Sequence, residues 1–158
     1  MTSGSTESVW DYPRPPRVEE STETVEIVLD EQVVARSTRT FRVLETSHPP
    51  TYYVPAADFV AGTLEPADGG SWCEWKGMAA YYDLVAGETR AQAAGWTYPQ
   101  PSRGFEMLRD TVAVYPGRVD QCTVDGEVVR AQAGGFYGGW ITDRVTGPFK
   151  VEPGSTGW

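Results

Sequence analysis

The sequence predicts a mainly β protein, built of compact, curved antiparallel sheets with little helix. Short β-branched runs with alternating apolar positions recur along the chain. Almost no stretch keeps helical spacing of apolar residues for three turns, and 12 prolines and 17 glycines are spread over all 158 residues. Strands and helices do not alternate in the way a parallel sheet with crossover helices requires.

Taken in order, Val25–Leu29 and Gln32–Ala35 read as strands joined by a tight turn at Asp30-Glu31. Thr40–Leu44 reads as a strand buried on both faces, with Phe41 and Val43 on one side and Arg42 and Leu44 on the other. Thr51–Val54 follows. Ala79–Val85 and Thr89–Tyr98 form a hairpin around Gly87-Glu88, closed by Pro99 and Pro101. Gly104–Asp110 is the best helix candidate, about two turns long with Ser102 as its N-cap. Thr111–Tyr115 returns to strand. Val119–Thr123 and Glu127–Ala131 flank an Asp125-Gly126 pair, the strongest hairpin signal in the chain. The expected organisation is an extended Pro-rich arm over residues 1–24, a β domain over 25–133, and a glycine- and aromatic-rich tail over 134–158 that packs on the domain.

Twenty-two acids oppose 13 Lys and Arg, for a net charge of -9, which disfavours nucleic acid and anionic membrane surfaces as partners. Residues 1–35 carry eight of the acids and two of the bases, so the body of the chain is nearly balanced. The N-terminus lacks the basic-then-apolar order of a signal peptide, and a cytoplasmic protein is the expectation. Two cysteines, Cys73 and Cys122, make no CxxC pair, and free thiols are expected in a reducing cytosol. A phosphate loop, a GxGxxG turn, a GxSxG elbow and an HExxH motif are all missing from the sequence, and no cofactor is expected.

Chemistry concentrates in two aromatic segments. His48, the one histidine, is the only side chain whose unperturbed pKa lies near neutrality; it serves either as an acid or base or as a turn residue before Pro49-Pro50. Glu45 ends an apolar strand, as a base or ligand if inward and as a solvated charge if outward, with Arg42, Arg39 and Lys76 as candidate partners. Lys76, one of two lysines, is flanked by Trp75 and Gly77, a setting that suits anion binding or proton transfer; the plainer reading is a surface lysine or an ion pair with Glu74 or Glu45. Cys73 reads as a nucleophile, a ligand or a buried inert thiol. Trp96, Tyr98 and Pro99 form a further group, expected to be joined by Tyr81, Tyr82, Tyr52 and Tyr53 if their strands adjoin, where rings make either a pocket for a flat ligand or plain core.

Three stretches together resemble one family: Arg42-Val43-Leu44-Glu45-Thr46-Ser47-His48-Pro49-Pro50-Thr51-Tyr52-Tyr53-Val54-Pro55, then Cys73-Glu74-Trp75-Lys76-Gly77, then Trp96-Thr97-Tyr98-Pro99. The pattern is similar to that of the bacterial domain of unknown function 427 family, and the flanks around Val9-Trp10-Asp11-Tyr12-Pro13 and Gly134–Trp140 resemble its single-domain actinobacterial members. Glu74 stands where that family usually has proline. The resemblance implies a compact β-tent-like fold, without paired CxxC zinc knuckles, and supplies no reaction.

The leading expectation is a small-molecule-binding β domain. Its pocket is lined by Tyr52, Tyr53, Cys73, Trp75, Tyr81, Trp96 and Tyr98, and Glu45, His48 and Lys76 are its catalytic candidates for cofactor-free isomerisation, cyclisation or hydrolysis. No metal site is expected, and a homodimer is left open. The rival is a non-catalytic interaction module that docks through its aromatic ends, with Trp10, Trp140 and Trp158 as anchors.

Overall fold

The computed structural model describes residues 6–14, 16–73, 76–131 and 138–147; Trp75, Glu74 and Trp158 lie outside the described residues. Its strands in chain order are β1 (Glu7–Ser8), β2 (Arg17–Ser21), β3 (Val25–Leu29), β4 (Gln32–Ser37), β5 (Thr40–Leu44), β6 (Thr51–Pro55), β7 (Leu64–Cys73), β8 (Gly77–Ala86), β9 (Thr89–Thr97), β10 (Thr111–Val114), β11 (Gln121–Val124), β12 (Glu127–Val128), β13 (Arg130–Ala131), β14 (Trp140–Ile141) and β15 (Val145–Thr146). The protein is mainly β, as its alternation pattern predicts. A seven-stranded antiparallel sheet runs β2-β5-β6-β10-β9-β8-β7, and a four-stranded sheet runs β12-β11-β3-β4. Two short pairs, β13 with β14 and the parallel β1 with β15, bring the chain's two flanks onto this frame.

The predicted turns form because their chemistry is local. Asp125 and Gly126 both adopt positive φ, the geometry that matches the right-handed twist of the flanking strands. Asp30 and Glu31 do the same between β3 and β4. Gly87 alone takes positive φ in the β8–β9 turn, as the first central residue of a type II′ turn does.

The expected two-turn helix over Gly104–Asp110 does not form. A single 3-10 turn spans Glu106–Leu108, Phe105 rather than Ser102 precedes it, and no side chain caps it. The reason is Gly104, whose φ of +94 lies outside any helical region and breaks the segment before its first turn. Two strands escape the alternation pattern. Strand β2 is an edge strand with two glutamates. At the opposite edge, β7 contains Pro66, Gly69 and Gly70, which an edge tolerates because one side of the strand needs no partner; a bulge interrupts its pairing between Pro66 and Gly70.

The two faces of the large sheet bury different clusters. The face towards the four-stranded sheet holds the main core: Val25, Ile27 and Leu29 from β3, Cys122 and Val124 from β11, and Tyr52, Val54, Leu84, Val112 and Val114 from the large sheet, closed by Trp140. On the opposite face lie Val43, Tyr53, Trp96, Tyr98, Phe105, Leu108 and Ala113. Alternation along β5 and β6 produces this division, since neighbouring residues point to opposite faces.

Candidate functional site

One row of directly paired residues crosses the large sheet. Phe41 on β5 faces Tyr53 on β6, Tyr53 faces Ala113 on β10, Ala113 faces Trp96 on β9, and Trp96 faces Tyr81 on β8. Residues opposed in this way share a face, so four aromatic rings line up across five strands. Ala113 is the small member, and the gap above it lets Tyr53 and Trp96 meet. Their rings stand edge to face, 6.2 Å between centroids, and the Trp96 Nε1–H donates to the Tyr53 hydroxyl at 3.2 Å.

Further polar groups join this row. Tyr98 follows Trp96 by two residues and therefore shares its face, with its ring 6.2 Å from that of Tyr53. Burial pushes the phenols of Tyr53 and Tyr98 well above their usual range, and the neighbouring thiol of Cys73 adds to both shifts. Both phenols therefore stay neutral well beyond the usual range, and the Tyr53 hydroxyl accepts the Trp96 indole N–H. Tyr115 packs on Trp96 at 4.5 Å, and Tyr81 donates its hydroxyl proton to Ser71 Oγ at 2.9 Å. Lys76 sits in the turn between β7 and β8 and is buried, at 8% exposure, with its ammonium 5.8 Å from the centre of the Tyr98 ring. Its carbonyl accepts from Ser102 N–H at 2.9 Å, which ties the hairpin tip to the loop after Pro101.

The expected pocket is therefore only partly assembled on one face. Tyr53, Cys73, Lys76, Tyr81, Trp96 and Tyr98 come together there, whereas Trp75 lies outside the described residues. Tyr52 points to the other face. Its ring stacks on Trp140 at 5.0 Å, its hydroxyl donates to Glu23 at 2.9 Å, and the Arg42 guanidinium lies 5.8 Å from its ring centre.

Glu45 and His48 do not join Lys76. Strand register sets the distance: Glu45 follows Phe41 by four residues towards one end of the sheet, whereas Lys76 precedes Tyr81 by five towards the other. At a rise of about 3.3 Å per residue these are roughly 13 and 16 Å beyond the aromatic row in opposite directions, on strands four positions apart. Glu45 pairs with Arg14 at 3.8 Å rather than with Arg42, Arg39 or Lys76. The His48 ring Nδ1 lies 2.9 Å from the Thr46 carbonyl. Thr46 N–H and Ser47 N–H donate to the carbonyls of Pro13 and Val9, so this turn holds the N-terminal flank.

The most deeply buried charge among the described residues, Arg42, is one of the three candidate partners for Glu45 and pairs with other carboxylates instead. Arg42 is fully buried and binds Glu7 at 2.8 Å and Glu19 at 2.5 Å. Arg144 binds Glu7 at 3.0 Å and Glu23 at 2.9 Å, and Tyr12 donates to Glu7 at 2.7 Å. This network clasps both flanks of the chain to the large sheet. Its one sequence signal is an arginine within a strand buried on both faces, which has to be paired.

Among the described residues no group of three or more His, Cys, Asp or Glu is placed to hold a metal ion, and no helix is long and apolar enough to cross a membrane. Fold and site together define a mainly β domain with a buried aromatic cluster on one face of its large sheet. A family profile described as a domain of unknown function, DUF427, matches residues 17–125, from β2 to the β11–β12 turn, and the chain belongs to that family. The clasp residues Glu7, Tyr12 and Arg144 fall outside the matched span. No curated protein matches the chain.

Proposed function

We propose that the aromatic face of the large sheet is the binding site for a small organic molecule. The observation that carries this reading is the convergence of unlike polar groups at one apolar cluster: an indole N–H bonded to the first of two buried phenols, with a thiol and an ammonium beside them. Ordinary core seldom gathers so many polar atoms, each of which costs free energy unless it is satisfied. An acid–base reaction at this face would draw on Lys76, Cys73 and the phenols, since Glu45 and His48 lie beyond the other end of the strands. The rival reading, docking through aromatic ends, is weakened at Trp140, which is fully buried against Tyr52 and donates to the Val114 carbonyl at 2.9 Å.

Native mass spectrometry of protein purified without added ligand tests the proposal, by comparison of intact with denatured mass. A retained organic mass that disappears in Tyr98→Phe or Lys76→Ala, with folding unchanged, is the expected result. A bare chain that also fails to bind any member of a fragment library by ligand-observed NMR would overturn it.

A further inference from the structure

Charge pairing across the molecule singles out one end of the large sheet. Twelve of the 13 Lys and Arg are described, and eight of these twelve sit in ion pairs: Arg14, Arg17, Arg36, Arg39, Arg42, Arg90, Arg130 and Arg144. Arg118 lies on the Tyr115 ring and donates to the Ala93 carbonyl. The other three, Lys76, Arg103 and Arg109, have no carboxylate within ion-pair distance among the described residues. In a chain with 22 acids that is the exception.

All three lie together in the fold. Lys76 is at the tip of the β7–β8 hairpin; Arg103 follows Ser102, whose N–H binds the Lys76 carbonyl; Arg109 ends the 3-10 turn whose Leu108 packs in the aromatic cluster. Of the acids in this loop, Glu106 accepts from the Gly104 N–H at 2.8 Å, and neither it nor Asp110 forms an ion pair with the three cations among the described residues. Lys76 differs from its two exposed neighbours in being buried. Its Nζ makes no hydrogen bond among the described residues. Yet it is not among the sealed-off unpartnered atoms of the described residues, Thr40 Oγ1 and Arg42 Nε, so it keeps an opening to the outside.

An ammonium largely shielded from water, with no counter-ion among the described residues, is poorly compensated, and an anion brought by a ligand would pair with it. We propose that the ligand is a planar aromatic monocarboxylate, with its charge on Lys76 and its ring against Tyr98. One buried cation favours a single negative charge, and exposed Arg103 and Arg109 act by steering anions inward rather than by binding them. Flat rings with protonated phenols suit a flat partner with acceptor oxygens. This inference rests on the binding face proposed above and gives it a ligand class.

Benzoate and its neutral isostere benzamide separate the two claims when titrated by saturation-transfer NMR. In the wild-type protein benzoate should bind at least about tenfold tighter than benzamide, the preference should shrink in 0.5 M salt, Lys76→Met should abolish it and Lys76→Arg should retain part of it. Equal binding of the two probes to the wild type, with no effect of Lys76→Met, would overturn the anion inference and leave the binding face intact. Binding of neither probe would overturn the ligand class, and the binding face itself would still be decided by the fragment library. The wild-type comparison requires no variant to fold.

Discussion

Gly138 rests on the indole of Trp96 with no room between them for a methyl group. Two residues later Trp140 is buried on the opposite face of the same sheet, and its N–H donates to the Pro50 carbonyl at 2.7 Å. The chain therefore passes around the strand ends here, with glycine where it crosses the ring. Trp96 has little freedom to yield, because it is 8% exposed and tied to Tyr53 through Nε1. Gly138→Ala should thus cost about 1–3 kcal/mol and lower the thermal midpoint by several degrees. Gly117→Ala, where an added carbon finds only an ordinary contact at 3.6 Å, is the control and should stay within about 0.5 kcal/mol. Equal midpoints for the two variants would show that the chain does not cross the indole.

The Glu7–Arg42 clasp predicts a defined loss of stability in acid. Burial alone would raise the Glu7 carboxyl, but hydrogen bonds from Arg42 and Tyr12 and the charges of Arg42 and Arg144 outweigh it and hold the pKa at about 2, against 4.5 for the free group. A group lowered in this way contributes its full stability above pH 4.5 and loses it as the pH falls towards 2. Urea unfolding between these limits should therefore show a steeper decline for the wild type than for Glu7→Gln, with the variant the less stable at pH 7. Arg42→Met should be worse at neutral pH, by about 3–5 kcal/mol, since it strands carboxylates around a buried position. Parallel pH profiles for wild type and Glu7→Gln would remove Glu7 from the clasp.

What the sequence made legible was local. The Asp125-Gly126 and Gly87-Glu88 turns and the doubly buried β5 are set by dihedral preference and side-chain period, which neighbouring residues determine. Strand β7 carries no alternation signal because Pro66, Gly69 and Gly70 interrupt it; only its place at the sheet edge makes them tolerable. Tyr52 and Tyr53 were grouped by aromatic character, although adjacent strand residues must face opposite ways. The clasp was illegible for a different reason: Arg42 and Glu7 are 35 residues apart, and Arg144 and Glu7 137. No periodicity reports a pair at such separations, and only the demand that a buried arginine be paired could have prompted the search.

The two thiols should behave as separate populations. Cys122 lies in the core between the sheets at 1% exposure, and burial pushes its thiol up to about 12, so little thiolate exists at pH 8. Cys73 is half-buried in the aromatic cluster on the other face, and both are free. Titration of native protein with a disulfide reagent should release about one equivalent per chain, and about two after unfolding in denaturant. Cys122→Ser should also be the costlier substitution, at about 1–3 kcal/mol, because it buries a hydroxyl in an apolar core. Two fast equivalents from the native protein would contradict the buried position of Cys122.

The β3–β4 turn carries a correctable strain. Asp30 and Glu31 both hold positive φ, 54 and 59, whereas the β11–β12 turn meets the same demand with Asp125 and Gly126. A side chain in the left-handed region costs about 1–2 kcal/mol, and a glycine substituted there gives back about 0.5–1 kcal/mol through the greater freedom of the unfolded chain. Glu31→Gly should therefore stabilise the protein by about 0.5–1 kcal/mol. Its backbone N–H keeps the bond to Asp120 Oδ2 at 3.2 Å, so no tertiary contact of the turn is lost with the side chain. Gly126→Ala is the mirror experiment: nothing lies within 4 Å of the added carbon, so its expected cost of about 1 kcal/mol is backbone strain alone. Urea midpoints that move in opposite directions for the two variants would confirm that turn dihedrals set these energies. A neutral or destabilising Glu31→Gly would show that unfolded-state entropy outweighs the relief.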